Sequence, residues 1–189
     1  MNKREEQKER RRTEILNVAL DLFSRRGYGS TKVANIVSEA KISMGLLFHY
    51  FGTKDGLYNE LIKIGCEYTG FPLSLEGSPI GIFLRVADGI LDFIEKEPMA
   101  AKMFVFMANA LHDDSIPKES KELLSKIDII TRSLPIIEKG QQLGEIRQGD
   151  CRSLSAAFWG AIVGVAQEIS LNPDIPCPSP DWIVAILKK

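Results

Sequence analysis

Between Ile15 and Ile64 the apolar residues fall into short stripes of helical spacing, each bounded by a residue that stops or starts a helix. That punctuation confines this part of the chain to a succession of short helices. Ile15, Leu16, Ala19, Leu22 and Phe23 stand at i, i+1, i+4, i+7 and i+8, one face of a helix that Gly27 should stop. Thr31 is placed to cap a second helix, whose apolar face is Val33, Ile36, Val37 and Ala40. Ser43 caps a third that turns Leu47 and Phe51 inward. Gly52 ends it, Thr53 caps again, and Leu57, Leu61 and Ile64 line a fourth.

The rest of the sequence keeps this period. The Gly-, Pro- and Ser-rich stretch 70–79 is the best candidate boundary. Beyond it Ile80, Phe83, Leu84, Ala87, Ile90, Leu91 and Ile94 hold helical spacing. Pro98 suits the first turn of a sixth helix carrying Met103, Phe104, Met107 and Leu111. From 118 to 143, Leu123, Leu124, Ile127, Ile130, Leu134 and Ile137 predict one long segment that Pro135 should kink or split. Residues 152–171 predict a strongly apolar helix, and 180–188 a short last one. No run alternates polar and apolar residues at the period of two that a half-buried strand needs. The expected fold is all-α, with an N-terminal three-helix head over residues 1–54 and a C-terminal helical domain over 55–189.

Composition removes several classes of function. With 44% hydrophobic and 26% charged residues the chain can bury a core and still dissolve. The longest strictly apolar stretch, 156–166, is shorter than the roughly 18 to 20 residues that cross a bilayer. No apolar segment follows the charged start MNKREEQKERRR, so no secretory signal is expected. Cys66, Cys151 and Cys177 lie far apart, and His49 and His112 are the only histidines. Neither a disulfide framework nor a metal site is expected, and the reading is a cytoplasmic protein with reduced thiols, no membrane association and no cofactor. The net charge of −1 is unevenly spread: residues 1–60 carry a net +3 and the remainder −4. That asymmetry points the N-terminal part toward a negatively charged partner. No Gly-rich phosphate loop, metal-spaced His/Cys set or nucleophile–base motif is visible, so an enzyme ranks last.

Two short helices joined by a very short link, in the basic part of the chain, are what a helix-turn-helix requires. The first must cross the second so that the second enters a major groove about 12 Å wide. A plain helical hairpin shares this pattern. Residues 12–61 closely resemble the DNA-binding region of TetR-family transcriptional regulators. The resemblance is carried, in order and without a gap, by Ile15-Leu16, Ala19, Leu22-Phe23, Gly27-Tyr28, Thr31, Val33, Ile36, Ala40, Ser43, Gly45, Leu47, His49-Tyr50-Phe51, Lys54 and Leu57. Beyond this first part of the chain the agreement is only in helical character and length.

The resemblance implies roles residue by residue. Thr31, with Lys32 beside it, is expected to meet a DNA phosphate at a helix N-terminus. Tyr50 and Lys54 are similar to the family's phosphate contacts. Ser43, Met44, Gly45, Leu46, Phe48 and His49 occupy the part that similar proteins lay in the groove. Met44 and Leu46 can touch thymine methyls but cannot make bidentate hydrogen bonds to base edges. Phe48 stands where tyrosine is common. Lys41 stands where many relatives have glycine, which implies backbone strain or a differently shaped turn. The basic start, Lys8 with Arg10, Arg11 and Arg12, either docks on flanking DNA or, with Glu5, Glu6 and Glu9 interleaved, is a solvated helical face.

A helix-turn-helix monomer contacts few base pairs, and dimers on two half-sites are the usual solution. Ala157, Gly160, Ala161, Gly164, Trp182 and Ile186 are the expected homodimer interface; the alternative is that they belong to the monomer core. Phe83, Met103, Phe104, Met107 and Trp159, with Phe106 nearby in type, either line an apolar effector pocket or are plain core. The function read from the sequence is a repressor of double-stranded, palindromic operators, released by a small apolar or amphipathic effector. The alternative is a helical interaction protein with a degenerate DNA-binding head.

Overall fold

The computed structural model of the chain describes residues 2–69, 76–97 and 99–189. Among these residues it is all-α: α1 (Lys3–Ser30), α2 (Val33–Glu39), α3 (Met44–Phe51), α4 (Lys54–Thr69), α5 (Pro79–Lys96), α6 (Ala100–Ala110), α7 (Lys118–Leu124), α8 (Ile129–Gln142), α9 (Cys151–Leu171) and α10 (Pro180–Val184). The only β pairing among them is an isolated bridge between Ile146 and Lys188.

The chain forms two compact units, residues 1–69 with 105–126, and 70–104 with 127–189. This divides the chain differently from a boundary at 54/55, for a physical reason. Leu57, Tyr58, Leu61 and Ile62 of α4 are at most 2% exposed, so α4 is part of the core that α1 builds with Ile15, Ala19, Leu22 and Phe23. Burying a Leu, Ile or Phe side chain stabilises by about 1.5–3 kcal/mol, so detaching α4 would dismantle the head. Phe23, Tyr28, Tyr58 and Phe106 form an aromatic cluster with ring centroids 4.9–6.5 Å apart.

Residues 105–126 are joined to the head by polar contacts as well. Asn109 Nδ2 donates to the Ser24 carbonyl at 3.2 Å, and the Tyr28 N–H donates to Asp113 at 3.4 Å. Buried Asn59 of α4 donates to Glu119 at 2.7 Å and accepts from the Ser120 hydroxyl, while Lys63 pairs with Glu119 at 3.0 Å. Gly65 lets Met107 lie against α4, because a Cβ there would overlap the Met107 side chain.

The second unit packs α8 on α9 and α5 on α8 and α10. Phe83 and Phe158 meet edge to face at 4.9 Å. Trp159 Nε1 donates to Ser133 Oγ at 2.9 Å, which itself donates to the Ile129 carbonyl at 2.8 Å, so the buried indole N–H is satisfied. The short α10 docks through Ile183, Val184 and Leu187, all buried, and Arg147 donates to the carbonyls of Ala185 and Lys188 at its end.

Three local expectations are corrected. The segment 118–143 is two helices, and the break falls before Asp128, which caps α8 by accepting the Thr131 N–H at 2.9 Å. Pro135 lies inside α8 without interrupting it. Leu111, expected on the buried face of α6, is 52% exposed just past its end. Pro98 and residues 70–75 of the boundary stretch lie outside the described residues; Ser78 caps α5 by accepting the Gly81 N–H, with Pro79 at its start.

The uncharged run 156–166 also belongs to a longer helix. By length and composition α9 is apolar enough to cross a membrane. In the fold it presents Phe158, Trp159, Ile162 and Ala166 to the bundle, while Ala157, Gly160 and Gly164 stay exposed on the other side.

Candidate nucleic-acid interface

The head is punctuated much as its residue types dictate, with one change of role. Gly27, at φ +73° and ψ 170°, interrupts α1 before its final turn. Thr31 does not cap α2. Its side chain is buried, and its hydroxyl donates to the Gly27 carbonyl at 2.8 Å, with the Leu22 carbonyl 3.4 Å away. A hydroxyl has one proton to donate, so in this arrangement Thr31 offers none to a phosphate. The N-cap position falls to exposed Lys32, whose backbone N–H donates to Asn35 Oδ1 at 3.1 Å.

The turn between α2 and α3 is a Schellman closure. The Ile42 N–H bonds to the Val37 carbonyl at 3.0 Å, and the Lys41 N–H lies 3.3 Å from the Ser38 carbonyl. This closure needs a left-handed residue, and Lys41 supplies it at φ +52°, the only described non-glycine residue with positive φ. The strain that the resemblance implied at Lys41 is therefore in the backbone itself.

Ser43 then caps α3 by accepting the Leu46 N–H at 3.2 Å. Leu47 is fully buried and, with Ile36 of α2, anchors the two helices to the core. Ser43, Met44, Gly45, Phe48 and His49 are consequently exposed together on α3, with Met44 at 47% and Phe48 at 40%. Leu46 is half-buried at their edge. A Cβ at Gly45 would meet nothing within 4 Å, so the backbone there is open to close approach. Phe51, expected in the core, is only half-buried; the Arg12 guanidinium lies 5.8 Å from its ring centre.

Tyr50 and Lys54 are held by the protein itself. The Tyr50 hydroxyl donates to the Lys8 carbonyl at 3.4 Å. Lys54 Nζ donates to the carbonyls of Tyr28 and Thr31 at 3.0 and 3.1 Å and sits 3.7 Å over the Tyr28 ring. A cation at the end of α1 complements the negative pole of that helix. Burial pushes the Lys54 ammonium below its ordinary range, against the opposing pull of Asp55 and Asp113. Burial, reinforced by its hydrogen bond to Asp55, raises the Tyr28 hydroxyl well above the ordinary range.

Residues 105–126 pack with the head although they lie far from it along the chain. Burial favours the protonated form of Asp113, but hydrogen bonds from the Ser115 hydroxyl and N–H and from the Tyr28 N–H outweigh it and lower the group. The only signal in the sequence was polar Asn109 in the apolar second half of α6.

In the second unit, the residues expected to line an effector pocket (Phe83, Met103, Phe104 and Trp159) are buried and packed, as Met107 is in the first. A cavity of about 490 Å³ lies elsewhere, lined by Ile94, Glu95, Met99, Lys102, Ile169, Pro173 and Cys177 among others. None of the expected five lines it. Of the expected interface residues, Ala157, Gly160 and Gly164 are exposed, Ala161 and Ile186 half-buried, and Trp182 is 72% exposed.

Residues 15–61 match the sequence profile of the bacterial regulatory proteins of the tetR family. The transcriptional regulator HbdR of Aromatoleum sp. strain CIB is 47% identical over 49 residues, 26% of this chain and 21% of its own length. The regulator BetI of Vibrio vulnificus is 25% identical over 153 residues, 74% of each chain. The crystal structure of the MbdR regulator from Azoarcus sp. CIB superposes with a TM-score of 0.73, covering 95% of this chain and 97% of that one at 20% identity. The strong identity is thus confined to the head, and the likeness of fold runs through the whole chain. Over residues 15–61 the chain is similar to the DNA-binding part of the tetR family of bacterial regulatory proteins, and beyond them the likeness is one of fold.

Proposed function

We propose that the protein regulates transcription as a homodimer that binds an inverted-repeat operator through α3, and that a small apolar or amphipathic effector weakens this binding. The observation that carries the reading is the face of α3. Its only fully buried residue is Leu47, and the side opposite stands exposed at the surface of the head. A helix so presented fits a major groove, and two of them about 34–36 Å apart match successive half-sites.

The exposed face is unusually apolar. Met44, Phe48 and half-buried Leu46 can contact only thymine C5-methyl groups among base-edge features, while Ser43 and His49 can hydrogen-bond. We therefore expect half-sites with thymine at the contacted positions, and weaker binding when those thymines are replaced by deoxyuridine. The interface between protomers is assigned to the exposed small-residue face of α9, where a Cβ at Gly160 or Gly164 meets nothing within 4 Å, together with exposed Trp182. A partner helix can approach closely there. HbdR and BetI are each named as transcriptional regulators, which supports the regulatory part of the reading.

The test is selection of bound duplexes from a random DNA pool, repeated with His49→Ala and with Gly164→Glu. An enriched inverted repeat, with relaxed base preference in His49→Ala and loss of the repeat in monomeric Gly164→Glu, is the expected result. Absence of any enriched sequence with the wild-type protein overturns the reading. The apolar surface of α3 would then favour a partner protein as its target, and binding insensitive to salt would mark that case.

A further inference from the structure

Helix α1 begins at Lys3, yet its first buried residue is Ile15. Residues 3–14 therefore form an overhang of about 18 Å at 1.5 Å per residue. It is regular helix, closed at its start by a capping box in which Asn2 and Glu5 satisfy each other's backbone N–H groups. Apart from half-exposed Arg12 and Thr13 Oγ1 bonding back to Glu9, it buries little against its own unit.

The overhang has a defined orientation. Arg4, Lys8 and Arg12 stand at i, i+4 and i+8, and the same line continues into Ile15, Ala19 and Leu22, the face of α1 buried in the head. The stripe that is apolar inside the head becomes cationic where the helix leaves it. Arg12 ends its part of the stripe on Glu60 of α4 and over the Phe51 ring of α3. The Lys8 carbonyl accepts from Tyr50 of α3. The overhang is thus pinned to the recognition helix and must move with it.

The remaining charges are not equivalent. Arg10 and Arg11 both pair with Glu14. Among the described residues Arg4 and Lys8 make no ion pair, and their i+4 neighbours along the stripe are cations. Like charges at this spacing weaken a helix slightly, a cost that an anion laid along the stripe would remove.

We infer that Arg4 and Lys8 form a second DNA-contacting surface, which grips backbone phosphates next to the bases that α3 faces. This rests on the DNA-binding reading of the head. The Tyr50–Lys8 and Arg12–Glu60 links set the register between the two surfaces, so Tyr50 acts as a positioning residue for the overhang. Because phosphates carry no base identity, the overhang adds affinity and salt dependence without changing which bases are preferred.

The test uses the full-length protein and a fluorescein-labelled 40-base-pair duplex of mixed sequence, with binding followed by anisotropy between 50 and 200 mM salt. Each phosphate contact contributes about 0.9 to the slope of log affinity against log salt. Arg4→Ala/Lys8→Ala should lower the slope by about 1.8, so that over the fourfold salt range the wild type loses about tenfold more affinity than the variant. Arg4→Lys/Lys8→Arg should restore the slope, and Lys3→Ala, on another azimuth, should leave it closer to wild type. An unchanged slope in the double alanine variant overturns this inference while leaving α3 as the DNA-binding element. Absence of salt-dependent binding by the wild type overturns both.

Discussion

Replacing Lys41 with glycine should make the protein more stable, because the position serves only the backbone. The left-handed conformation costs a residue with a Cβ about 1–2 kcal/mol, and Lys41 holds φ +52°. Glycine removes that cost but brings about 0.4–1 kcal/mol of extra unfolded-state entropy. Lys41 is exposed and makes no ion pair among the described residues, so no side-chain contact is lost. The net gain is about 0.8 kcal/mol. With a urea m-value of about 2 kcal/mol per molar, the unfolding midpoint should rise by about 0.4 M at unchanged m. The same closure ends α8, where Glu145 and Gly144 donate to the carbonyls of Gly140 and Gln141, and there the left-handed residue is Gly144 at φ +71°. The fold already uses glycine for this geometry once. Far-UV circular dichroism in urea provides the readout, with Lys41→Ala as the control that keeps a Cβ. The reasoning fails if Lys41→Ala gains as much as Lys41→Gly, since charge and not backbone conformation would then be the cause.

Gly56→Ala should disrupt the joint between α3 and α4, because its Cβ would lie well inside 3.0 Å of the Phe51 carbonyl oxygen, a backbone atom with little room to move. A loss of roughly 2 kcal/mol and weakened DNA binding are expected, and an unchanged urea midpoint would sink the assignment. Asn59→Ala strips partners from Glu119 and the Ser120 hydroxyl beneath α4, and should cost about 1–3 kcal/mol in the same assay; a neutral result would mean that water replaces the amide freely. On the acid side, hydrogen bonds hold Asp113, Asp128 and Asp150 below the ordinary aspartate value, burial opposing them most at Asp113. Their stabilisation is therefore present above pH 3.8 and lost as the pH falls through the lower folded values. Asp113→Asn should flatten that fall in thermal melts below pH 4, and an unaltered profile would show that its carboxylate contributes nothing.

Much of the head was legible because its signals are local. Ser43, Gly52 and Thr53 act on N–H groups and dihedrals within a few residues, and each plays its expected part. The exposed face of α3 follows from the period of one short helix around Leu47. Where a residue had two local options, only packing chose between them. Thr31 suits a helix cap, but its hydroxyl turns inward to the Gly27 carbonyl, and Lys54 suits a phosphate, but its ammonium closes the end of α1. Pro135 looked like the break in 118–143, yet the chain breaks where Asp128 can cap a new helix.

The sequence by itself determined the class of fold, the order of the head's helices and the residues that α3 exposes, since helical period and capping chemistry are written in neighbouring side chains. Tertiary structure alone decided that residues 105–126 join the head through Asn109, Asp113 and Ser120, that Phe83, Met103, Phe104 and Trp159 pack as core while a cavity opens between Ile94 and Cys177, and that the basic stripe of α1 continues its buried face. Each of these depends on which groups meet across long separations in the chain, and such meetings leave no mark in the spacing of residues along it.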